Sequence, residues 1–322
     1  MKPEQLIRVI KEARQAGKVP DLKALDLRGI DLRKSDLRAA DLSDADLEGA
    51  NLSEANLLRT NLSKANLKQT RLTGALFHGA IIDGAYLSQA KLGGEKLEMG
   101  SFAGADLSGA NLKRTNLRWT NLSRANLREA NLEQANLQAA RLNGTDLSEA
   151  NLSKANLNQA DLSGAKLHGT NLRYANLQAA KFSKADLTRA DLRRADLQEA
   201  DLRGVILKET YLGGANLSHA DLSGVTLNVV HLHKVNLSWA TLKKANLQEA
   251  DLTETNLNRA DLSEANLKGA KLTEAQLEQI KNLDGAIMPD GSIQVSKNKA
   301  KDKRKPSASG LAESLSRIKK DK

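Results

Sequence analysis

The 322-residue sequence predicts an all-β solenoid, a rod of short stacked coils, and three observations carry that reading. Residues whose number leaves remainder 2 on division by 5, from Leu22 to Leu277, are all apolar: of 52 such positions 48 are Leu, one is Ile82 and three are Phe77, Phe102 and Phe182. Two residues earlier runs a second, smaller series of 34 Ala, 8 Thr and 4 Val, and between the two lies Asp or Asn in 35 of the 52 repeats. The chain holds only 2 Trp, 3 Tyr and 3 Phe, too few to fill ordinary globular cores, where aromatic rings carry much of the buried area.

A period of five suits neither regular element. On an α-helix successive Leu would rotate by about 140° and spread around the whole surface. In a straight strand an odd period would point them to opposite faces. Burying all of them requires the chain to turn the same way once per repeat. The Ala and Leu positions, two apart, share one face of a short extended segment, and the two variable residues that follow make the corner. Four corners close a coil of about 20 residues, with coils stacked at roughly 4.8 Å; three or five sides also satisfy the period.

Tandem A-(D/N)-L-x-x units such as ADLSDADLEGANLSEANL, residues 40–57, resemble the pentapeptide-repeat proteins, which are abundant in cyanobacteria. The resemblance covers most of the chain. It implies a right-handed quadrilateral β-helix of about 12–13 coils with short α-helical caps. The division expected is an N-terminal helical cap over 1–19, the solenoid over 20–273, a helix and turn cap over 274–293, and a basic tail over 294–322.

Each part of that division has a local reason. The terminal coils of a solenoid expose core and strand edges and need covering. Pro3 suits a first helical turn, Leu6, Ile7, Ile10 and Ala13 fall on one helical face, and Gly17 can end the helix. Thr273 and Gln276 form a capping box for a short helix, after which Asn282 to Gly291 reads as loop and turn. The ending NLDGAIMPDGS is similar to those that follow cyanobacterial pentapeptide arrays. Within the coils the Leu series fills the axis, the small residues line the corners, and Asp or Asn bonds turn amides. The axis therefore leaves no ligand-sized pocket.

Two stretches depart from the consensus. Between residues 76 and 102 the Asp/Asn position holds Leu76, Ile81, Tyr86, Lys91, Lys96 and Ser101, while Glu95 and Gly100 replace small apolar residues. Between Val225 and Val235 Val replaces Ala, beside the pair His231 and His233. Outward apolar residues mark a candidate partner surface at Leu76, Ile81 and Tyr86. A 20-residue coil would also stack Met99, Trp119, Glu199, His219, Trp239 and Arg259 in one column, with Ala139 and Ala179 between. Exposed Trp and Arg are enriched at interface hot spots, so Met99, Trp119, His219, Trp239 and Arg259 are candidate contacts. His231 and His233, with Asp251 a coil away, fall short of a full zinc ligand set.

Composition narrows the function. There are no cysteines, hence no disulfide framework or Cys nucleophile. No phosphate loop, nucleophile elbow or metal cluster stands out, and the expectation is a non-enzyme with no cofactor and no metal. No apolar run reaches membrane-spanning length, and the N-terminus is a poor secretory signal, so a cytoplasmic protein is expected. The net charge of +10 sits at the ends: residues 296–322 hold 10 Lys or Arg against 3 Asp or Glu, and residues 1–20 hold 5 against 2. Lys303, Arg304 and Lys305 head the candidate contacts of the tail, toward an acidic protein, nucleic acid or an anionic membrane. The leading expectation is a non-catalytic interaction or regulatory scaffold, binding one or more proteins or a second copy of itself. The alternative is the DNA mimicry by which some members of the family act on topoisomerases, which needs strong negative charge; the balanced solenoid opposes it.

Overall fold

The computed structural model describes residues 3–87, 92, 97–228 and 230–295. The expected features at Lys91, Glu95, Lys96 and in the tail from residue 296 onward, including Lys303, Arg304 and Lys305, lie outside the described residues; Gln294, expected in the tail, instead pairs with the last coil through Gly285 N–H and Ala286 O.

Helix α1 spans Pro3–Gln15, with Glu4 in its first turn and Arg14 in its last, each favourable to the helix dipole. It ends in a Schellman motif: Gly17 has φ +67°, Lys18 N–H donates to Ala13 O at 2.9 Å and Gly17 N–H to Arg14 O at 3.0 Å. Leu6 and Ile10 are buried and join the core of the rod. Ile7, expected on the same face, is 37% exposed. It lies about 100° around the helix from Leu6, and the end of a narrow rod covers only the stripe of residues four apart.

From Asp21 onward the chain coils. Every parallel bridge from Asp21–Asp41 to Asp251–Lys271 joins residues 20 apart, so each coil takes four repeats and the rod has four sides. The sides carry Asn121, Asn126, Asn131 and Asn136 in one coil and are called faces 1 to 4 in that order.

One repeat, Asn156 to Ala160, explains the consensus through its backbone donors. Asn156 N–H donates to Ala135 O one coil below at 2.9 Å; Leu157 and Gln159 N–H donate to Asn176 O and Gln178 O one coil above at 2.6 and 2.8 Å. Ala160 N–H closes the corner on Leu157 O at 2.9 Å. Only Asn158 N–H has no backbone acceptor, and it takes the Asn156 side-chain Oδ1 at 3.1 Å. The recurrent Asp or Asn is thus the acceptor that completes an otherwise unsatisfied backbone.

Leu157 and Ala160 are fully buried, and the same holds with few exceptions along the axis. Seven of the Thr in the Ala series are buried and donate Oγ1 to the Leu carbonyl 23 residues earlier, as Thr145 does to Leu122 O at 2.7 Å. Phe77, Phe102 and Phe182 occupy Leu positions, fully buried. Gly100 accommodates one of them: a Cβ there would lie 3.1 Å from the Phe102 ring and 3.1 Å from Leu97 O.

The corner residue before the small residue is left-handed in nearly every described repeat of the rod. Gln159 has φ +59°, Trp119 +56° and Gly164 +64°, and among the described residues 32 non-glycine residues share this conformation. It is the geometry of a β-turn whose third residue has positive φ.

Helix α2, Glu274–Gln279, is opened by Thr273 with both halves of a capping box to Gln276. The Gln276 side chain also donates to Leu252 O at 2.7 Å and Thr255 O at 2.8 Å, covering carbonyls of the coil below. The loop expected from Asn282 is instead further coil as far as Ile287, whereas the expected turn does close at Met288–Gly291, Gly291 N–H donating to Met288 O at 2.9 Å. Asp261 bridges Asn282 and Asn266 bridges Ile287, now 21 residues apart. Ala286 is buried and Gly285 takes the corner with φ +73°. The helix inserts one residue, and the motif N-L-D-G-A-I-M resumes the five-residue pattern out of phase. An antiparallel bridge of Ile287 to Ile293 then ends the ladder.

Candidate functional site

The 20-residue register brings the residues of the expected column together on face 4. Met99, Trp119, His219, Trp239 and Arg259 all occupy left-handed corners, which hold side chains outward. Met99 is 55% exposed and the two Trp 46% and 45%. His219 and Trp239, one coil apart, stack with centroids 5.8 Å apart and planes 8° from parallel. Arg259 lies over the other side of the Trp239 ring at 4.8 Å, making a three-layer stack of imidazole, indole and guanidinium. Trp119 is covered differently, by Arg118 of its own corner at 4.1 Å. Arg118 Nε is buried without a hydrogen-bond partner, and the ring is what the guanidinium packs on.

A ladder of amides runs beside this column. Asn256 donates to Asn236 Oδ1 at 3.0 Å, Asn236 to Asn216 at 2.9 Å, and Asn216 to Asp196 Oδ1 at 3.0 Å. Gln178 Nε2 donates to the other oxygen of Asp196 at 2.6 Å. The carboxylate is thereby the terminal acceptor of the amide chain.

Leu76, Ile81 and Tyr86 are exposed by 42%, 44% and 50%, but they do not form one patch. They follow each other at five-residue intervals, and each turn moves the next to a different side of the rod. Tyr86 is met there by Lys68, its Nζ 5.7 Å from the ring. The two histidines also part. His231 stacks on Tyr211 at 4.9 Å, whereas His233 Nδ1 meets Glu254 Oε2 at 3.2 Å. Asp251 accepts from Thr253 N–H and Oγ1, and no metal-binding cluster is present among the described residues.

A second aromatic and basic group, on face 3, escaped the sequence reading. Tyr174 and Tyr211 are exposed; Arg194 lies over Tyr174 at 5.6 Å and donates to its hydroxyl at 3.0 Å, and Arg193 lies over Tyr211 at 5.6 Å. The available signal was Arg 20 residues after Tyr174 and His 20 residues after Tyr211. Arg193 is also paired with Asp191. A similar pair joins Arg203 to Asp201, and the hydrogen bonds from the Arg203 guanidinium hold that carboxyl below the usual carboxylate range. A cleft of about 500 Å³ lies between α1 and the first coils, lined by Ile7, Ile10, Arg14 and Lys34, away from the aromatic column.

The pentapeptide-repeat profile matches the chain in eight copies over residues 21–54, 55–94, 101–138, 130–169, 170–208, 210–248 and 245–281. The chain belongs to the pentapeptide-repeat family. Its repeat β-helix is the fold of that family. No curated protein sequence matches this pentapeptide-repeat chain. Among solved structures it is similar to HetL of the cyanobacterium Nostoc sp. strain PCC 7120, a pentapeptide-repeat protein involved in heterocyst differentiation regulation. The identity is 32% over 88% of this chain and 98% of that one, with a TM-score of 0.22. It is also similar to a trypsin-treated form of QnrB1, a plasmid-mediated fluoroquinolone resistance protein: 19% identity over 60% of this chain and 90% of that one, TM-score 0.47. Rfr23 of the cyanobacterium Cyanothece 51142 shares 40% identity over 31% of this chain and 58% of its own, TM-score 0.13. Among the described residues no helix is long and apolar enough to cross a membrane.

Proposed function

We propose that this pentapeptide-repeat protein is a non-catalytic interaction and regulatory scaffold, a cytoplasmic rod that binds one or more proteins through its outer faces. The handedness implied by the family, right-handed, belongs to the same reading. One observation carries it: the axis is filled by Leu, Phe and Ala, while the rings of Trp119 and Trp239 are held outward with guanidinium groups over them. A surface that keeps large rings ordered and accessible supplies contact area at low entropic cost. DNA mimicry is disfavoured by charge, since residues 21–295 hold 34 acidic and 34 basic side chains.

The test is capture of partners from a cyanobacterial lysate by wild type and by the double variant Trp119→Ala, Trp239→Ala. Loss of specific captured proteins from the double variant is the expected result. Identical capture by both proteins would refute the assignment of the aromatic column as the contact. Inhibition of DNA supercoiling by stoichiometric protein would promote the mimic.

A further inference from the structure

Face 4 differs from the other three in charge. Between residues 101 and 260 it carries four Asp, Glu, Lys or Arg, against ten or eleven on each of the others. Through the three coils from Asn136 to Ala180 it carries none. Its outward residues there are Asn, Gln and Ala, bounded on one side by Trp119 and on the other by the stack of His219, Trp239 and Arg259. A solvated face of a rod with 27% charged residues has no reason to lose its charges over this length.

The geometry points to a second copy of this chain as the occupant of face 4, packed antiparallel about a two-fold axis at the level of Ala179. This deepens the interaction reading above and rests on it. Trp119 and Trp239 each stand three coils from Ala179, at 60 residues on either side, so the two-fold sets Trp119 of one copy against Trp239 of the other. In this register Gln159 faces Glu199, Asn156 faces Asp196 and Ala139 leaves room for His219. Each acidic group on the face then meets an amide, and no charge meets its like. An isologous interface requires this self-complementarity, because each patch must bind itself. Amides satisfy it, being donor and acceptor at once, whereas a charged patch repels its own copy.

The size is adequate. Six coil steps at ~4.8 Å separate the two Trp, roughly 29 Å. With the flanking coils and a side about 16 Å wide, face 4 offers on the order of 600 Å² per copy, or about 1,200 Å² in all, the lower bound of specific interfaces. Guanidinium-backed Trp rings at both ends provide the hot spots such an area needs.

The full chain is tested by sedimentation equilibrium, and the absence of Cys makes a crosslink unambiguous. Wild type should weigh twice the 34.8 kDa of one chain, and Ala179→Arg should weigh one chain. Ala24→Arg is the control: it has the same side-chain change at the same left-handed corner, φ +54° against +53°, on face 1 of the first coil. It should remain dimeric. Arg259 and Arg59 already occupy this corner in the same column, so Ala179→Arg folds, as its circular dichroism will verify. Ala179→Cys should give a disulfide-linked dimer on mild oxidation, since the two-fold brings residue 179 of both copies together. A monomeric wild type at about 100 µM, or a dimer indifferent to Ala179→Arg that forms no crosslink at position 179, overturns the proposal. If wild type is monomeric yet the Trp double variant still loses its captured proteins, this inference fails and the interaction reading stands.

Discussion

The left-handed corners set a cost that can be measured at Gly164. Its φ is +64°, and a Cβ built there meets nothing within 4 Å, so Gly164→Ala changes backbone preference with no steric contribution. A left-handed L-residue costs about 1–2 kcal/mol. Loss of glycine freedom in the unfolded chain returns about 0.4–1 kcal/mol. The net expectation is destabilisation by roughly 0.5–1 kcal/mol for Gly164→Ala. Gly164→Val adds β-branched crowding at positive φ and should cost roughly 2 kcal/mol. The reverse change, Lys154→Gly at φ +59°, should be neutral or stabilise by up to about 1 kcal/mol. Urea titration followed by far-ultraviolet circular dichroism gives the order, read as midpoint shifts at constant slope because repeat arrays need not unfold in two states. Gly164→Val as stable as wild type, together with Lys154→Gly clearly destabilised, would show that the corners are not left-handed.

Three further outcomes follow from other contacts. Thr145→Val keeps volume but loses the buried bond to Leu122 O at 2.7 Å, and should cost about 1 kcal/mol; an unchanged midpoint would mean that the hydroxyl contributes nothing. Gly100→Ala should cost roughly 1–3 kcal/mol through the Phe102 contact, and a second change, Phe102→Leu, should restore part of it; equal losses in the single and double variants would show that the ring is not the obstacle. Asp31 and Asp201 have carboxyls lowered by hydrogen bonds from Arg33 and Arg203, so their contribution is complete above the ordinary value of 3.8 and is lost as pH falls below it. Arg203→Gln should therefore flatten the fall in stability below about pH 4, as acid titration of the midpoint will show.

The sequence by itself determined the repeat, the filled axis at the Leu positions and the capping box at Thr273, because each is a local preference repeated or punctuated along the chain. It also showed why Asp or Asn recurs, since a turn amide needs an acceptor. The left-handed corner was legible in part: 15 of the 22 Gly stand at the repeat position before the small residue, though 32 other described residues there conceal the requirement. The continuation of the coil past α2 was hidden by one inserted residue, which breaks the period but not the ladder. Four-sided closure was decided by tertiary structure, because a period of five is equally met by three or five sides while the parallel bridges between coils, from Asp21–Asp41 to Asp251–Lys271, all join residues 20 apart. That single number scatters Leu76, Ile81 and Tyr86 over three faces and gathers Trp119, Trp239 and the uncharged amides onto one. Proximity on a solenoid is set by stacking between coils, which no stretch of sequence shorter than a full coil contains.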